Sequence, residues 1–482
     1  MGAETTAVID SGTAFSVAGL LYLLVAGSAA VHVLLNKHNV GATVSWIGVI
    51  VLSPFFGAVL YWLFGVNRIK RRVQAEMEGR GKEGVKSGSA KQHIANGQFE
   101  REDHLSQLFQ TGLSIHYAPY LNNNSVEILN NGVEAFPSMI SAIENATHSV
   151  VLSSYIFEYD AVGRQFVTAL SNAHARGVSV QVLIDGVGIG YGFSLAKSDR
   201  VLRKNSVATA RFLPTFSAFS TRFINLRNHR KILSVDGQVA FVGGMNIRAG
   251  NLLTGKLKHQ TQDVHFKFTG PVINQINDVF AEDWQFATGD ALSLPAWQGN
   301  EPGKVVSRVL PDGPDDNYKK LELTLIAAIN VARRSIDIVT PYFLPDDAVI
   351  QALRLAVLRG VVVRLVVPAR NNLFFVDMAM KANEKTVLGA GIKIYRTQPP
   401  FDHSKLFIVD SHYCLVGSSN WDARSLELNF EINLECYNAG LVKQLETVVG
   451  NKLESAELVT LVTRPLLIRL RNNFFRLFTP YL

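Results

Sequence analysis

The stretch NHRKILSVD at 228–236 sets His229 and Lys231 two positions apart with Asp236 five beyond the lysine, and HSKLFIVD at 403–410 repeats the spacing as His403, Lys405 and Asp410. One such triplet reads most simply as an edge strand with a few solvated charges. Two do not, because each is followed by a short Gly/Ser turn and then an asparagine, Asn246 and Asn420. The chemistry this set of side chains suits is displacement at a phosphodiester. That reaction needs a nucleophile, a proton donor for the departing alcohol, and cations on the non-bridging oxygens as charge builds. Two imidazoles facing each other supply the first two. Lys231 and Lys405, aided by the asparagine amides, supply the electrostatic clamp without a metal. A nucleophilic imidazole also needs a carboxylate to orient it. Downstream of the two histidines the choices are Asp263 in TQDVHFKF and Glu431 in LNFEINLE, each evenly balanced against a solvent-facing strand acid. Arg222, Arg227 and Arg230 are candidate substrate contacts, evenly balanced against plain surface charge.

Elements must carry these residues, and the chain repeats those too. ARGVSVQVLID at 175–185 is answered by LRGVVVRLVVP at 358–368, and the whole duplication has a lag of roughly 175 to 185 residues. A unit that long is a half-domain and not a solenoid repeat. Each copy reads as an apolar strand (149–157; 335–343), a helix (164–177; 346–360), a β-branched strand (178–184; 361–367) and the His/Lys strand. Helices alternating with continuously apolar strands predict α/β sheets flanked by helices, in two pseudo-symmetric halves with the site at their interface. Strand alternation puts His229 with Lys231 on one face, and His403 with Lys405 likewise. Asp236 and Asp410 fall at odd offsets and face away, as structural carboxylates.

The duplicated His-x-Lys-x4-Asp pattern resembles the phospholipase D superfamily. The flanks NLRNHRKILSVDG with AFVGGMNI, and HSKLFIVD with LVGSSNWDARSLELNFE, resemble the bacterial cardiolipin synthases within it. The similarity takes in LYWLFGVNRI near the N-terminus and RPLLIRLRNNFFRLFTPYL at the C-terminus, and so covers nearly the whole chain. The resemblance implies joining of two phosphatidylglycerols into cardiolipin and glycerol through a phosphatidyl-histidine, with no metal or other cofactor. It marks His229, Lys231, Asp236, His403, Lys405 and Asp410 as the catalytic signature, supported by Asn246, Asn420, Asp263 and Glu431. Pseudo-symmetry lets either histidine serve as nucleophile; His229 is taken as nucleophile and His403 as acid, then base. Two positions depart from the pattern: Asp402, where an apolar residue is usual, and Thr261-Gln262, where a Trp-Arg pair is common. The alternatives are a hydrolytic phospholipase D, a phosphatidyltransferase using phosphatidylethanolamine, a nucleic-acid phosphodiesterase, and a lipid-binding scaffold with a dead site. The net charge of +7 suits nucleic acid. Two apolar spans that tether the site to lipid argue against it, and intact His, Lys and Asn in both copies argue against a dead scaffold.

Composition points to lipid independently. Over 482 residues the chain is 48% apolar, with a mean hydropathy of +0.14. The excess is local: residues 15–35 and 44–66 hold no Asp, Glu, Lys or Arg, and each is long enough for roughly 30 Å of hydrocarbon. A cleaved signal peptide is disfavoured, since nothing before residue 15 is basic. Pro54 is tolerated in a membrane helix as a kink. Lys37 stands alone between the spans whereas Arg68, Lys70, Arg71, Arg72, Arg80 and Lys82 follow the second. The positive-inside rule then puts the catalytic part on the cytoplasmic side of a bacterial inner membrane. The expected organisation is a membrane hairpin (1–68), a basic, Gly-rich linker (69–112), a first half (113–298) and a second half (299–482). The second half ends in LIRLRNNFFRLF, either an interfacial or a capping helix. The partner implied is phospholipid, not nucleic acid, and assembly into a homo-oligomer is compatible with this organisation. DGVGIGYGF at 185–193 lacks dinucleotide-loop spacing and reads as a loop near the site's rim. Cys414 and Cys436 read as buried free thiols, and no Cys/His spacing suits zinc.

Overall fold

The computed structural model describes residues 11–37, 40–62, 95, 103–188, 197–213, 226–253, 257, 259–299 and 303–479. The chain divides into two compact units, residues 1–75 and 76–482.

In the larger unit the first half builds a seven-stranded sheet. Its strands are β1 (Ser125–Asn130), β2 (Ser149–Ser154), β3 (Ser179–Asp185), β4 (Ala208–Phe212), β5 (Ile232–Val235), β6 (Val239–Gly243) and β7 (Val264–Thr269), ordered β1-β7-β6-β5-β2-β3-β4. The second half repeats the plan with β8 (Gly303–Asp312), β9 (Ser335–Val339), β10 (Val362–Pro368), β11 (Lys393–Thr397), β12 (Leu406–Val409), β13 (Tyr413–Gly417) and β14 (Asn429–Tyr437), ordered β8-β14-β13-β12-β9-β10-β11. β2, β3 and β4 run parallel, as do β9, β10 and β11, while β5 and β12 return antiparallel beside β2 and β9. The central strands are buried on both faces because both faces are covered; every residue of β2, its serines included, is buried.

The crossover helices show why the copies fold alike. Ala161–Ala175 begins at Asp160, whose carboxylate accepts from the Val162 and Gly163 amides, and Asp347–Leu358 begins at Asp346, which accepts from Val349. Each stops at an Arg-Gly pair. Gly177 and Gly360 adopt φ of 91° and 92°, a conformation that reverses the chain at little steric cost only for glycine.

Two organisational expectations need correction. Residues 103–112 are not linker: they form most of the helix Asp103–Ile115. Leu105, Leu108 and Phe109 of this helix are buried in the core of the second half, because their i, i+3, i+4 spacing makes one apolar stripe. Leu121–Asn123 likewise pairs with β8, so this stretch belongs to the second sheet. In the N-terminal unit the chain forms Ser11–Asn36, Val40–Leu52 and Pro54–Leu60, packed through Ala29, Val33, Ile50, Ala58 and Tyr61. Among the described residues no helix is long and apolar enough to cross a membrane. The second expected span is interrupted at Pro54, which lacks the amide needed to continue the ladder.

Candidate active site

The His/Lys segments are not continuous strands. Arg227–Asn228 leaves the first half's sheet to pair in parallel with β14, Arg227 opposite Asn429 and Asn228 opposite Phe430. The His229 amide then donates to the Phe430 carbonyl at 2.9 Å before the chain returns to its own sheet as β5. The second half reciprocates. Phe401–Asp402 pairs with Thr261–Gln262, and the His403 amide donates to the Gln262 carbonyl at 2.8 Å.

This exchange decides which carboxylate meets which imidazole. His229 Nδ1 lies 3.0 Å from both oxygens of Glu431, and His403 Nδ1 lies 2.9 Å from Asp263 Oδ2. Each histidine is therefore oriented by the acid of the opposite half, a pairing that chain order does not suggest. Both acids are fully buried, yet both carboxyls are held below their usual range: Lys405 and His403 offset the burial of Asp263, and His229 and Lys231 that of Glu431. An ionised carboxylate only accepts, so each Nδ1 carries the proton and Nε2 is left as the nucleophilic nitrogen. Glu431 is itself fixed by donors from Ser418 Oγ at 2.5 Å and Asn429 Nδ2 at 3.2 Å.

Burial lowers both imidazoles to about 4, so both are neutral in the empty site at neutral pH. The secondary influences differ. After burial, the largest effect on His229 is the Glu431 charge, which raises it; on His403 it is the Lys405 charge, which lowers it further. Lys405 Nζ sits 2.9 Å from His403 Nδ1 and donates to the His403 carbonyl at 2.5 Å. Lys231 Nζ donates to the His229 carbonyl at 2.6 Å and lies 5.5 Å from the centre of the Tyr155 ring. Burial brings the ammonium groups down to about 7 for Lys231 and about 8 for Lys405.

Both histidines and both asparagines line one cleft of about 190 Å³. Asn246 Oδ1 accepts from the Ile156 amide at 3.1 Å, and Asn420 Nδ2 donates to Ser425 Oγ at 3.2 Å. The motif aspartates lie elsewhere. Asp236 accepts from the Thr147, His148 and Ser149 amides, and Asp410 from those of Arg333, Arg334 and Ser335, so each fixes the entry to the neighbouring central strand. Of the three arginines, Arg222 lies outside the described residues. Arg227 lines the cleft. Arg230 does not: it is buried, with Nη1 2.5 Å from Asp283 and Nε donating to the Glu431 carbonyl, which corrects its reading as a substrate contact. Asp402 is also turned away, 2.8 Å from Lys452 Nζ.

Sequence reasoning missed the two aromatics over the imidazoles. The Tyr155 ring stands edge-on to His229 at 5.1 Å and Tyr342 to His403 at 6.3 Å. They do not occupy equivalent positions of the two copies, since Tyr342 corresponds to Ile156, so matching the copies residue by residue does not find them.

Comparison with known proteins gives the class first. The family model described as "Cardiolipin synthase, PLD-like domain" matches residues 139–284 and 325–452, one match in each half, so the duplicated fold is that of a phospholipase D-like enzyme. "Phospholipase_D-nuclease N-terminal" matches residues 20–65. The cardiolipin synthase of Geobacillus sp. (strain WCH70) is 32% identical over 458 residues, covering 93% of this chain and 90% of its own. Cardiolipin synthase A of Pseudomonas putida (strain GB-1) is 33% identical, covering 92% of both chains. The chain belongs to the cardiolipin synthase family. A crystal structure of phosphatidylserine synthase from Haemophilus influenzae Rd KW20 shares the fold, with a TM-score of 0.61 over 78% of this chain and all of that one, at 13% identity.

Proposed function

We propose that this cardiolipin synthase-family phosphatidyltransferase moves a phosphatidyl group from one phosphatidylglycerol to another through a phosphatidyl-histidine. The observation that supports this most directly is the reciprocal bonding of His229 to Glu431 and His403 to Asp263, which equips two imidazoles in one cleft. In the first step His229 Nε2 forms a bond to phosphorus, the bond from phosphorus to the glycerol oxygen breaks, and His403 gives that oxygen a proton. His403 acquires the proton when the anionic lipid enters and raises its basicity. In the second step His403 takes the proton of the incoming lipid's hydroxyl, whose oxygen bonds to phosphorus as the phosphorus–nitrogen bond breaks. Lys231, Lys405, Asn246 and Asn420 stabilise the charge on the non-bridging oxygens.

The membrane reading belongs here as well. The N-terminal unit turns Leu20, Leu23, Leu34, Leu35, Phe55 and Phe56 outward, which suits burial in lipid, as a hairpin holding the catalytic part to the cytoplasmic face of the inner membrane. The test is an assay of the purified chain with labelled phosphatidylglycerol vesicles. Cardiolipin and glycerol in equal amounts are the expected products. Phosphatidic acid as the main product would replace transfer by hydrolysis.

A further inference from the structure

We infer that Arg248 forms a subsite for the phosphate of the acceptor lipid, a step that rests on the phosphatidylglycerol reading above. Transfer to a second phosphatidylglycerol differs from transfer to water or glycerol in one respect. The attacking hydroxyl is attached, across a glycerol bridge, to another phosphodiester. A site that favours this acceptor needs a second cation set back from the reacting phosphorus, beyond the lysines that serve the first phosphate.

Arg248 meets this requirement. It lines the cleft and lies two residues beyond Asn246 in extended backbone, with φ −160° and ψ 148°. The two side chains therefore share a face, with their backbones separated by about 6–7 Å at the usual strand rise. The segment is pinned on both sides: the Ile247 amide donates to the Ile156 carbonyl at 3.1 Å, the Glu158 amide to the Ile247 carbonyl at 3.0 Å, and the Ala249 amide to Asp160 Oδ2 at 2.5 Å. The backbone that carries the side chain is thus fixed before any ligand arrives. Its Nε is buried and, among the described residues, makes no hydrogen bond; its charge partner there is a long ion pair with Glu158 Oε1 at 3.6 Å, which a phosphate can displace. A guanidinium donor left unspent is costly unless a ligand accepts from it, and its fork matches phosphate oxygens.

The doubled fold sharpens the point. The counterpart of Arg248, two residues after Asn420, is Asp422, which also lines the cleft and accepts from the Ser425 amide. The position that carries a cation in the first half therefore carries an acid in the second, with Arg424 two residues further along lining the same cleft, so the two halves offer a phosphate different partners at this position.

The test compares two reactions on one preparation of the full chain in phosphatidylglycerol vesicles. One is cardiolipin formation; the other is exchange of labelled glycerol into phosphatidylglycerol, which uses the same donor and histidines but an acceptor without phosphate. In Arg248→Gln the ratio of cardiolipin formation to exchange should fall at least about tenfold, the scale of one charged hydrogen bond, mainly through a raised KM. Arg248→Lys should recover most of that ratio, because the charge remains. An unchanged ratio in Arg248→Gln, with both reactions kept or both reduced together, overturns the subsite. Wild-type protein that exchanges glycerol but makes no cardiolipin would instead remove the phosphatidylglycerol acceptor reading beneath it.

Discussion

The proposed mechanism asks for a neutral imidazole to attack and charged ammonium groups to clamp, and burial of these side chains sets the pH limits of both. His229, lowered to about 4, loses its nucleophilic form only as pH falls through that value. The ammonium groups, lowered to about 7 and about 8, lose their charge as pH rises through those values, well before an exposed lysine would. The two competent forms coexist between about 4 and about 7. The pH profile of kcat/KM, which reports the free enzyme, should therefore decline above pH 7–8. An alkaline limb near 10 would show that the lysines are solvated and not buried. Lys231→Ala and Lys405→Ala should each lower turnover about a hundredfold or more, the scale of one lost transition-state contact, with the chain still folded. Near-full turnover in either would remove that lysine from the clamp. At this scale the sequence was informative where the residues recur: His, Lys and Asn could be matched copy to copy. The exchange of Glu431 and Asp263 between halves was not legible, because it follows from strand pairings at 227–228 and 401–402 that no local pattern encodes.

Elements were legible where apolar periodicity is long and were misread where it is short. The glycines and charges between 79 and 97 made the whole stretch to 112 look like linker, and the short stripe of Leu105, Leu108 and Phe109 was absorbed into it. What fixes that helix lies far along the chain. Arg308 of β8 is fully buried; its Nε donates to Glu435 Oε2 at 2.5 Å and its Nη1 to the Gly112 and His116 carbonyls at 2.8 and 2.9 Å. Its guanidinium lies 4.1 Å from the centre of the Tyr120 ring, and the Tyr120 and Tyr413 hydroxyls donate to the other oxygen of Glu435. A single side chain thus ties the helix, its exit loop and two strands together. Arg308→Met keeps much of the volume but leaves Glu435 buried without its cation, so unfolding should become easier by about 3–5 kcal/mol. Urea denaturation of the full chain in detergent checks this. A midpoint equal to that of the parent would mean that water already solvates Glu435.

At the scale of the whole molecule the question is how a doubled fold performs an undoubled reaction, in which one histidine must attack first. Sheet order, helix caps and the paired histidines all repeat, so the fold was legible from the duplication alone, but repetition cannot rank the two halves. The environments can. Glu431 presents both oxygens to His229 Nδ1, and its charge favours electron density on that ring. The Lys405 cation stands 2.9 Å from His403 Nδ1, and its charge makes that ring the weaker base and the stronger acid. These differences favour His229 as nucleophile and His403 as the group that protonates the leaving glycerol. In His403→Asn the attack should still occur slowly, and the intermediate should then persist, because no base remains for the second alcohol. Mass spectrometry of a digest made under alkaline conditions, where a phospho-imidazole survives, should find the phosphatidyl group on the peptide containing His229. In His229→Asn no adduct should form. An adduct on His403 in that second variant would reverse the ranking and keep the covalent route; no adduct in either, with transfer intact in the parent chain, would mean direct displacement between lipids.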